Sequence, residues 1–188
     1  MRIIGGKFRG KSLIAPEGRD VRPTSDRARG SLFDILLHRF QDTSGSLAGV
    51  RVADVFAGTG AMGLEALSRG ASHVTFLDTH REALKTIRAN AAAMAVLEQV
   101  SIVEGDALAP PRVREPCALV FLDPPYALDA APAALAALAR AGWLAPEALC
   151  VVELAARGTF IPPETITILD ERTSGKAKLI FARYHPTP

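Results

Sequence analysis

From residue 50 onward the hydrophobic positions of the chain follow two alternating patterns. Short apolar runs recur at the length typical of buried β-strands, and between them lie segments whose apolar residues have helical spacing. The predicted strands cover residues 50–56, 73–78, 100–106, 117–123 and 147–154, and the predicted helices cover residues 61–70, 80–94 and 129–142. Because the strands alternate with helices and are apolar on both faces, the pattern predicts an α/β fold with a mostly parallel sheet covered on both sides.

The two ends of the chain depart from this alternation. Residues 2–15 predict two short strands around three glycines, and hence a small basic β-hairpin. Residues 165–184 predict two strands joined by a polar turn. One strand at the end of the chain is therefore expected to be antiparallel.

A loop and a helix connect the hairpin to the alternating region. Residues 16–30 are polar and contain turn-forming Pro and Gly. Ser25 or Asp26 can cap a helix. The apolar positions of that helix are Leu32, Phe33, Leu36, Leu37 and Phe40. We therefore divide the chain into an N-terminal extension with its loop, residues 1–24, and one α/β domain, residues 25–188.

Length and composition agree with a single domain. The 188 residues are 48% hydrophobic, which is enough to bury a substantial core. Cys117 and Cys150 lie in apolar runs without a Cys or His at ligand spacing, which indicates buried thiols in a reducing compartment and no metal site. No apolar segment reaches the ~18 residues that a membrane span needs, and the N-terminus lacks the features of a secretory signal. We expect a cytoplasmic protein that acts as a monomer.

The net charge of +2 is unevenly distributed along the chain. Residues 1–40 contain nine Lys/Arg against four Asp/Glu, a net charge of +5, whereas the remainder carries −3. A basic end on a slightly acidic body indicates a polyanion partner that is contacted mainly by that end. An ordinary solvated surface explains the same counts equally well, so the charge distribution alone does not show that the protein binds a polyanion.

A glycine-rich turn follows the first strand of the alternation. Gly58, Gly60 and Gly63 match the pattern Gly-x-Gly-x-x-Gly. Glycines at this spacing let the backbone turn tightly and approach a ligand, which then meets the free N–H groups of the next helix. Open α/β sheets bind ligands at the carboxyl ends of their strands, so the position suits a nucleotide. On its own the motif leaves open NAD, S-adenosylmethionine (SAM) and a purely structural turn.

Three acids near the ends of neighbouring strands favour SAM. Asp78 ends the second strand, where a carboxylate can bind ribose hydroxyls. Asp106 ends the third strand, where it can contact an adenine amine, although each of these two acids can also be a loop cap. Asp54 lies late in an apolar strand, where a carboxylate needs hydrogen-bond partners. An acid-lined pocket suits the ammonium and sulfonium of SAM better than it suits a pyrophosphate.

The fourth strand ends in Leu-Asp-Pro-Pro-Tyr. Pro124 and Pro125 have fixed φ angles and push the residues before them towards an extended conformation, so the turn is stiff. It can aim the Asp123 carboxylate and the Pro124 carbonyl at one point, where two acceptors match an –NH₂ group. Tyr126 offers a flat face on which a base can stack. These four residues are the predicted catalytic corner for an exocyclic amine on a planar base, and a rigid loop start is the structural alternative.

These motifs resemble those of a known family. The runs DVFAGTGAMGLEALSRGA, GDAL and FLDPPY stand in the order found in class I SAM-dependent methyltransferases that modify exocyclic amines. The runs RPTSDRARGSLFDIL and GKAKLIFARY narrow the resemblance to bacterial methyltransferases that modify guanine N2 in small-subunit ribosomal RNA. The resemblance covers nearly the whole chain. It implies a Rossmann-like, seven-stranded sheet whose last strand is antiparallel.

The resemblance also implies roles for individual positions. The residues that would hold SAM are Asp54, Phe56, Gly58 and Gly60 for its methionine part, Asp78 for the ribose, and Asp106 with Ala107 for the adenine. Residues 123–126 would hold the target guanine. Thr24 and Arg22 would lie near the SAM and base pocket.

Ribosomal RNA, free or in a small-subunit particle, is the partner that this resemblance implies. The basic residues expected to meet its phosphates are Lys7, Arg9, Lys11, Arg19, Arg22, Arg27, Arg29, Lys176 and Lys178. Each of them can instead be an ordinary solvated residue. A stacked base must leave its stack to reach Asp123, so we expect base flipping or an unpaired substrate.

Three other functions fit part of the sequence. An adenine-N6 DNA methyltransferase shares the Asp-Pro-Pro-Tyr motif, but no segment is long enough for a separate DNA-recognition domain. An NAD-dependent oxidoreductase explains the glycine turn and leaves residues 123–126 unused. A non-catalytic RNA-binding assembly factor explains the basic N-terminus but not the intact Asp123 and Gly58. Methyl transfer from SAM to guanine N2 is the prediction that uses all of these features.

Overall fold

The computed structural model of the chain describes residues 1–15, 26–39, 47–125 and 130–186. Within them, seven strands form one sheet. The strands are β1 (Arg51–Val55), β2 (His73–Asp78), β3 (Val100–Glu104), β4 (Cys117–Leu122), β5 (Leu144–Ala155), β6 (Ile166–Ser174) and β7 (Ala177–Tyr184). The helices are α1 (Asp26–Arg39), α2 (Ala61–Ser68), α3 (Arg81–Ala93) and α4 (Ala131–Arg140), with a short 3₁₀ helix at Leu97–Gln99. No helix in the described residues is long and apolar enough to cross a membrane.

The strands are ordered β3-β2-β1-β4-β5-β7-β6 across the sheet. The first five pair in parallel, and β7 lies antiparallel between β5 and β6. The predicted fold class is therefore confirmed, together with its antiparallel last strand. Chain order reverses at β1, which has β2 on one side and β4 on the other. At such a switch point the loops that follow the strands diverge and leave a crevice at the carboxyl edge of the sheet.

Helices cover both faces of the sheet because its central strands are apolar on both sides. On one face, α1 and α3 bury Phe33 and Ile87 against the sheet. On the other face, α4 buries Leu135, and the fully buried Trp143 follows it. The indole N–H of Trp143 donates to the carbonyl of Pro111 (2.7 Å), so the polar atom of this large side chain is satisfied.

The N-terminal segment, residues 1–15, differs from its prediction. Instead of two strands it contains a single antiparallel bridge between Arg2 and Ser12, with backbone hydrogen bonds on either side. Beyond the bridge the backbone pairs with α2, since the N–H groups of Ile4 and Gly5 each donate to the Glu65 carboxylate at 2.8 Å. The prediction of two strands was wrong because these donors bond to a side chain rather than to the opposite arm of the segment.

Smaller differences concern where elements begin and end. β3 ends at Glu104, so Asp106 lies in the following loop and not in the strand. β5 begins at Leu144, earlier than predicted, and its register with β4 shifts along the way. The proposed helix cap at Ser25 and the apolar Phe40 lie outside the described residues.

Candidate active site

The glycine turn lies between β1 and α2, at the carboxyl edge of the sheet. Gly58 and Gly60 have φ angles of 52° and 74°, in the left-handed region that glycine adopts without steric cost. Phe56 has a φ of 60°, which is unfavourable for a residue with a side chain, and such strain is concentrated at functional sites. A hydrogen bond from Gly60 N–H to the Ala57 carbonyl (2.7 Å) closes the turn. The backbone is therefore tightly bent where a ligand would approach it.

Gly60 and Gly63 are also required for packing. A Cβ at Gly63 would lie 2.4 Å from Phe76 and 2.6 Å from Val74, and one at Gly60 would lie 2.9 Å from Ile87. Overpacking of this kind typically destabilises a core by about 1–3 kcal/mol. The N-terminus of α2 can approach β2 and α3 this closely only because side chains are absent at these two positions.

Asp78, at the end of β2, holds the turn in place. Its Oδ2 accepts a hydrogen bond from Gly58 N–H (2.8 Å), and its Oδ1 accepts one from the backbone N–H of His80 (2.8 Å). The His80 Nδ1 lies 3.1 Å from the same Oδ1. A carboxylate has about four acceptor positions, so these contacts leave capacity for a ligand hydroxyl. Asp78 thus connects two strand ends and remains suited to the ribose predicted there.

Asp54 is buried in β1, beneath the turn. Its Oδ2 accepts a hydrogen bond from Gly63 N–H at 2.8 Å. Burial raises the pKa of Asp54 to about 8, while the Gly63 hydrogen bond opposes this rise and the charges of Asp123 and Asp78 add to it. The protein alone therefore stabilises the ionised carboxylate poorly, and a cation beside it would favour the charged form.

Asp123 directly follows β4, and its N–H donates to the Val55 carbonyl (3.4 Å), which aligns the corner with the end of β1. Pro124 is buried and Pro125 is exposed. Burial of the carboxyl raises the pKa of Asp123 to about 7, and the charge of Glu153 adds to the rise. The residue as a whole is nevertheless exposed, and the water that reaches it limits the shift. Tyr126, the predicted stacking residue, lies outside the described residues.

The loop after β3 contains the residues predicted to meet adenine. Asp106 is exposed, and its Oδ1 accepts the N–H of Leu108 (2.9 Å), so it does cap the loop. Ala107 is buried beside it. The Gly105 N–H donates to the Asp78 carbonyl (3.1 Å), which joins this loop to the end of β2. The third strand end therefore lies next to the glycine turn, as the prediction requires.

The chemistry of these side chains fits a cationic ligand. Asp54 and Asp78 lie at neighbouring strand ends, and Asp123 follows the strand on the other side of β1. Carboxylates gathered in one crevice attract cations and repel a pyrophosphate. The residues present therefore fit SAM, which carries an ammonium and a sulfonium, better than they fit NAD.

Most of the basic residues predicted to meet RNA phosphates are exposed. Those at the surface are Lys7, Arg9, Lys11, Arg27 and Lys176. Lys176 lies in the β6–β7 turn, where its carbonyl accepts the N–H of Ala156 (2.9 Å), and this places it at the carboxyl edge of the sheet. Lys178 donates to the Gly158 carbonyl (3.0 Å) and is half-buried. Arg19, Arg22 and Thr24 lie outside the described residues.

The prediction that Arg29 meets RNA phosphates is wrong. Its side chain is 1% exposed. The guanidinium donates to the Arg2 carbonyl and to Asp26 (3.0 Å), and it lies 3.8 Å from Glu65. A charged group taken out of water needs such partners, because unpaired burial is costly. Arg29 therefore joins α1 to the N-terminal segment and to α2.

Asn90 of α3 holds the N-terminal segment against the glycine turn. Its buried side chain accepts the N–H of Ile14 (2.8 Å) and donates to the carbonyls of Ile14 (3.1 Å) and Thr59 (3.3 Å). Thr59 belongs to the turn, and its hydroxyl lies 3.9 Å from the Met1 sulfur. Met1 at one end of the segment therefore contacts the turn directly, and Ile14 at the other end is joined to it through Asn90. Sequence analysis missed Asn90, although a polar residue among the apolar positions of a helix was a usable signal.

The middle of the N-terminal segment lies at the other end of α2. The Lys7 N–H donates to the Ser68 carbonyl (2.7 Å), and the Phe8 N–H donates to the Ser68 hydroxyl (2.9 Å). An eight-residue helix is roughly 12 Å long. The segment thus runs along α2, and Lys7 lies about one helix length from the glycine turn.

Glu153 is a further acid that sequence analysis missed. It lies near the end of the apolar run of β5 and is half-buried. The pairing of Leu122 with Val152 places it beside Asp123. An acid at the end of an apolar strand was the same signal that identified Asp54 and Asp78.

Comparisons with known proteins agree with this geometry. The family described as "Conserved hypothetical protein 95" matches residues 1–183. "Ribosomal RNA small subunit methyltransferase D" of Haemophilus influenzae is 35% identical over 182 residues, which cover 93% of this chain and 89% of that protein. The protein of the same name from Escherichia coli is 36% identical over 154 residues, 81% of this chain and 74% of that one. The solved structure of "Putative methyltransferase yhhF" from Escherichia coli has a TM-score of 0.82 and 29% identity over 98% of both chains. The resemblance predicted from the motifs is confirmed.

Proposed function

The chain belongs to the family described as "Conserved hypothetical protein 95", and on this premise we propose that it transfers the methyl group of SAM to the N2 amine of a guanine in small-subunit ribosomal RNA. The observation that carries the proposal is the position of Asp123. It directly follows β4, beside a stiff double proline and next to the strand from which the glycine turn starts. The printed names of the two relatives support the RNA substrate.

The residues at three strand ends would bind SAM. Asp54, Phe56, Gly58 and Gly60 would hold its methionine part, Asp78 the ribose, and Asp106 with Ala107 the adenine, with Thr24 beside the pocket. When bound, SAM supplies an activated methyl group on a positively charged sulfur. The raised pKa of Asp54 supports this assignment, since a buried carboxyl of this kind gains from a nearby cation.

The corner after β4 would orient the target amine. The Asp123 carboxylate and the Pro124 carbonyl are both acceptors, and each can take one hydrogen of an –NH₂ group. The nitrogen lone pair of guanine N2 is delocalised into the ring. Holding both hydrogens out of the ring plane localises that lone pair on the side of the methyl donor, and alignment supplies the rest of the acceleration. Tyr126 would stack on the base.

Asp123 is also suited to receive the proton that the amine loses. A general base works best when its pKa lies near the working pH. Burial and the charge of Glu153 raise the pKa of Asp123 to about 7. The carboxylate can therefore hold the amine hydrogen during transfer and accept it afterwards, and solvent at this exposed position can remove it.

The exposed basic residues would bind the RNA backbone. Lys7 and Arg9 lie towards the far end of α2, whereas Lys176 lies at the carboxyl edge of the sheet. Contacts this far apart would hold an RNA surface across the site, while a flipped or unpaired guanine enters it. Lys11 and Arg27 add exposed charge, and Arg22 belongs to the same proposal. We expect the protein to act as a monomer.

Product analysis tests the proposed reaction. The protein is incubated with labelled SAM and either naked small-subunit ribosomal RNA, assembled small subunits or DNA, and the labelled nucleoside is identified after digestion. We expect N2-methylguanosine from ribosomal RNA or from the particle. Label only on adenine, or only in DNA, contradicts the proposal and favours the adenine-N6 alternative.

Substitution of Asp123 tests the division of roles. Asp123→Ala should slow methyl transfer by about 100-fold or more, because removing one preorganised hydrogen-bonding group from a reacting centre typically costs about that much. SAM affinity should change little, since other residues bind SAM in this proposal. Glu98→Ala, an exposed acid near the edge of the sheet, is the control and should change neither quantity. Loss of SAM binding in Asp123→Ala would show that the assignment of roles is wrong.

A further inference from the structure

Glu153 lies beside the catalytic corner, on the side away from the glycine turn. In the parallel pairing of β4 with β5, Phe121 is the register partner of Val151, and both are buried in the same part of the core. Asp123 and Glu153 each come two residues later. Because side chains alternate along a strand, the two acids are placed on the same face at adjacent strand ends.

The backbone around Glu153 is held firmly, and its charge reaches the corner. Glu153 lies within β5, where Leu179 of the antiparallel β7 is its register partner. The side chain is half-buried, and its negative charge contributes to the raised pKa of Asp123, after burial. The fold therefore places a second hydrogen-bond acceptor next to Asp123 on a rigid element.

Strand order decides which part of a bound base meets Glu153. The glycine turn and Asp54 belong to β1, on one side of β4, whereas β5 lies on the other side. A base whose amine is held at Asp123, with its nitrogen towards the β1 side, must extend towards β5. On the Watson–Crick edge of guanine, the ring nitrogen next to the N2 amine is N1, which carries a hydrogen. Two neighbouring donors match two neighbouring carboxylates.

We propose that Glu153 accepts the N1–H of the target guanine and thereby selects guanine against purines whose N1 is an acceptor, an inference that rests on the proposed function. Adenine and 2,6-diaminopurine both carry a lone pair at N1, which a carboxylate repels. A polar group left unpaired in a site discriminates strongly between substrates. Among these purines, 2,6-diaminopurine is the informative one, because it keeps the 2-amine that Asp123 would hold.

The test replaces Glu153 with Gln, which keeps the size of the side chain and adds an amide donor that can face an N1 lone pair. Substrate RNA, free or in reconstituted small subunits, carries guanine or 2,6-diaminopurine at the one position that the wild-type protein methylates. The rate of transfer to the 2-amine is measured for both RNAs. We expect the wild type to favour guanine by about 100-fold or more. In Glu153→Gln this ratio should fall by about tenfold or more, chiefly through faster transfer to 2,6-diaminopurine.

Two further variants complete the experiment. Glu153→Asp keeps a carboxylate that only accepts hydrogen bonds, so it should keep the preference for guanine even if transfer is slower. Glu104→Gln, at the end of β3, is the matched control, and its ratio should equal that of the wild type. SAM affinity, measured for every variant, checks that the site is folded.

The outcomes separate this inference from the proposed function. An unchanged ratio in Glu153→Gln, or a lost preference in Glu153→Asp, overturns the role of Glu153, while N2-methylguanosine from the wild type leaves the proposed function standing. A wild-type product other than N2-methylguanosine overturns the proposed function itself.

Discussion

At the scale of single residues, the acids of the crevice give the site its charge. Burial chiefly raises the pKa of Asp54, with the charges of Asp123 and Asp78 adding to the rise, and burial together with the charge of Glu153 raises the pKa of Asp123. A raised pKa means that the folded protein binds more protons than the unfolded chain between roughly pH 4 and pH 8. The stability that these two groups contribute is therefore lost as pH rises through their folded pKa values. A bound cation acts in the opposite direction, because it favours the ionised carboxylates.

Because a bound cation favours the ionised form of Asp54 and the protein alone favours the protonated form, SAM binding should depend on pH. Burial raises the pKa of Asp54 to about 8, so binding of a cation should release protons, and affinity should rise between pH 6 and pH 8. Above that range the α-amine of SAM loses its own charge, near pH 8. Calorimetry in buffers of different ionisation enthalpy measures both the affinity and the protons released.

Asp54→Asn is the comparison for this experiment. The amide oxygen can still accept the Gly63 N–H, but the titrating charge is gone. The variant should bind SAM more weakly and with a smaller pH dependence. Asp123, whose pKa is also raised, faces the ligand site as well, so part of the pH dependence should remain. Equal wild-type affinity at pH 6 and pH 8 would refute the prediction.

At the scale of elements, α2 and α3 serve both the site and the N-terminal segment. α2 begins at the glycine turn, while Glu65 within it accepts the N–H groups of Ile4 and Gly5. Glu65 is itself paired with Arg69 at 2.7 Å. Asn90 of α3 makes the corresponding bonds near the turn. Residues 1–15 are therefore held to the site by buried side chains as well as by apolar packing.

The contribution of α3 can be measured with Asn90→Ala. The change leaves the N–H of Ile14 and the carbonyl of Thr59 without their partner, which costs about 1–3 kcal/mol. The Tm should fall by several degrees, at about 2–4 °C per kcal/mol for a chain of this size. Hydrogen exchange should speed up most at the Ile14 amide and less at Ile4, which is bonded to Glu65.

Arg88→Ala on the exposed face of α3 is the control for Asn90→Ala. It should leave the Tm and the exchange rates close to those of the wild type. Equal acceleration at Ile14 and Ile4 in Asn90→Ala would mean that the N-terminal segment opens as one unit and that Asn90 does not act locally.

At the scale of the whole molecule, the proposed function needs a binding surface much wider than the catalytic corner. The exposed Lys7 and Arg9 are far along α2 from the glycine turn, and Lys176 is in the β6–β7 turn. Positive charge at separate places on one molecule can bind several phosphates of a folded RNA, which makes affinity depend on salt.

The salt dependence of RNA binding tests this surface. The double variant Lys7→Ala with Arg9→Ala should lower the slope of log K against log salt by about 1 to 2, since each phosphate contact contributes roughly 0.7–0.9. KM for RNA should rise while kcat changes little, because neither side chain reaches the corner. Arg112→Ala with Arg114→Ala removes the same charge from the loop before β4, on the opposite face of the sheet, and should leave the slope unchanged. Equal slopes in the two double variants would exclude the N-terminal segment from the RNA surface.

Features that depend on neighbours in sequence were predictable from the sequence alone. The alternation of strands and helices follows from the period of apolar residues, which is a local property. The glycine turn was also predictable from the sequence. Few residues other than glycine can adopt a φ of 74°, as Gly60 does, or fit against the close neighbours of Gly63. The corner at Pro124 and Pro125 is stiff because the proline rings fix the φ angles of these two residues. Together these determined the fold class and most of the candidate site.

Only the tertiary structure decided the features that join residues far apart in the chain. Arg29 was expected at the RNA surface, yet it is buried with Glu65, because packing of α1 on α2 brings the two charges together. The register of β4 with β5 likewise sets Asp123 beside Glu153. A sequence gives the charge of such a residue but not its burial or its partner, since both depend on which elements pack against it.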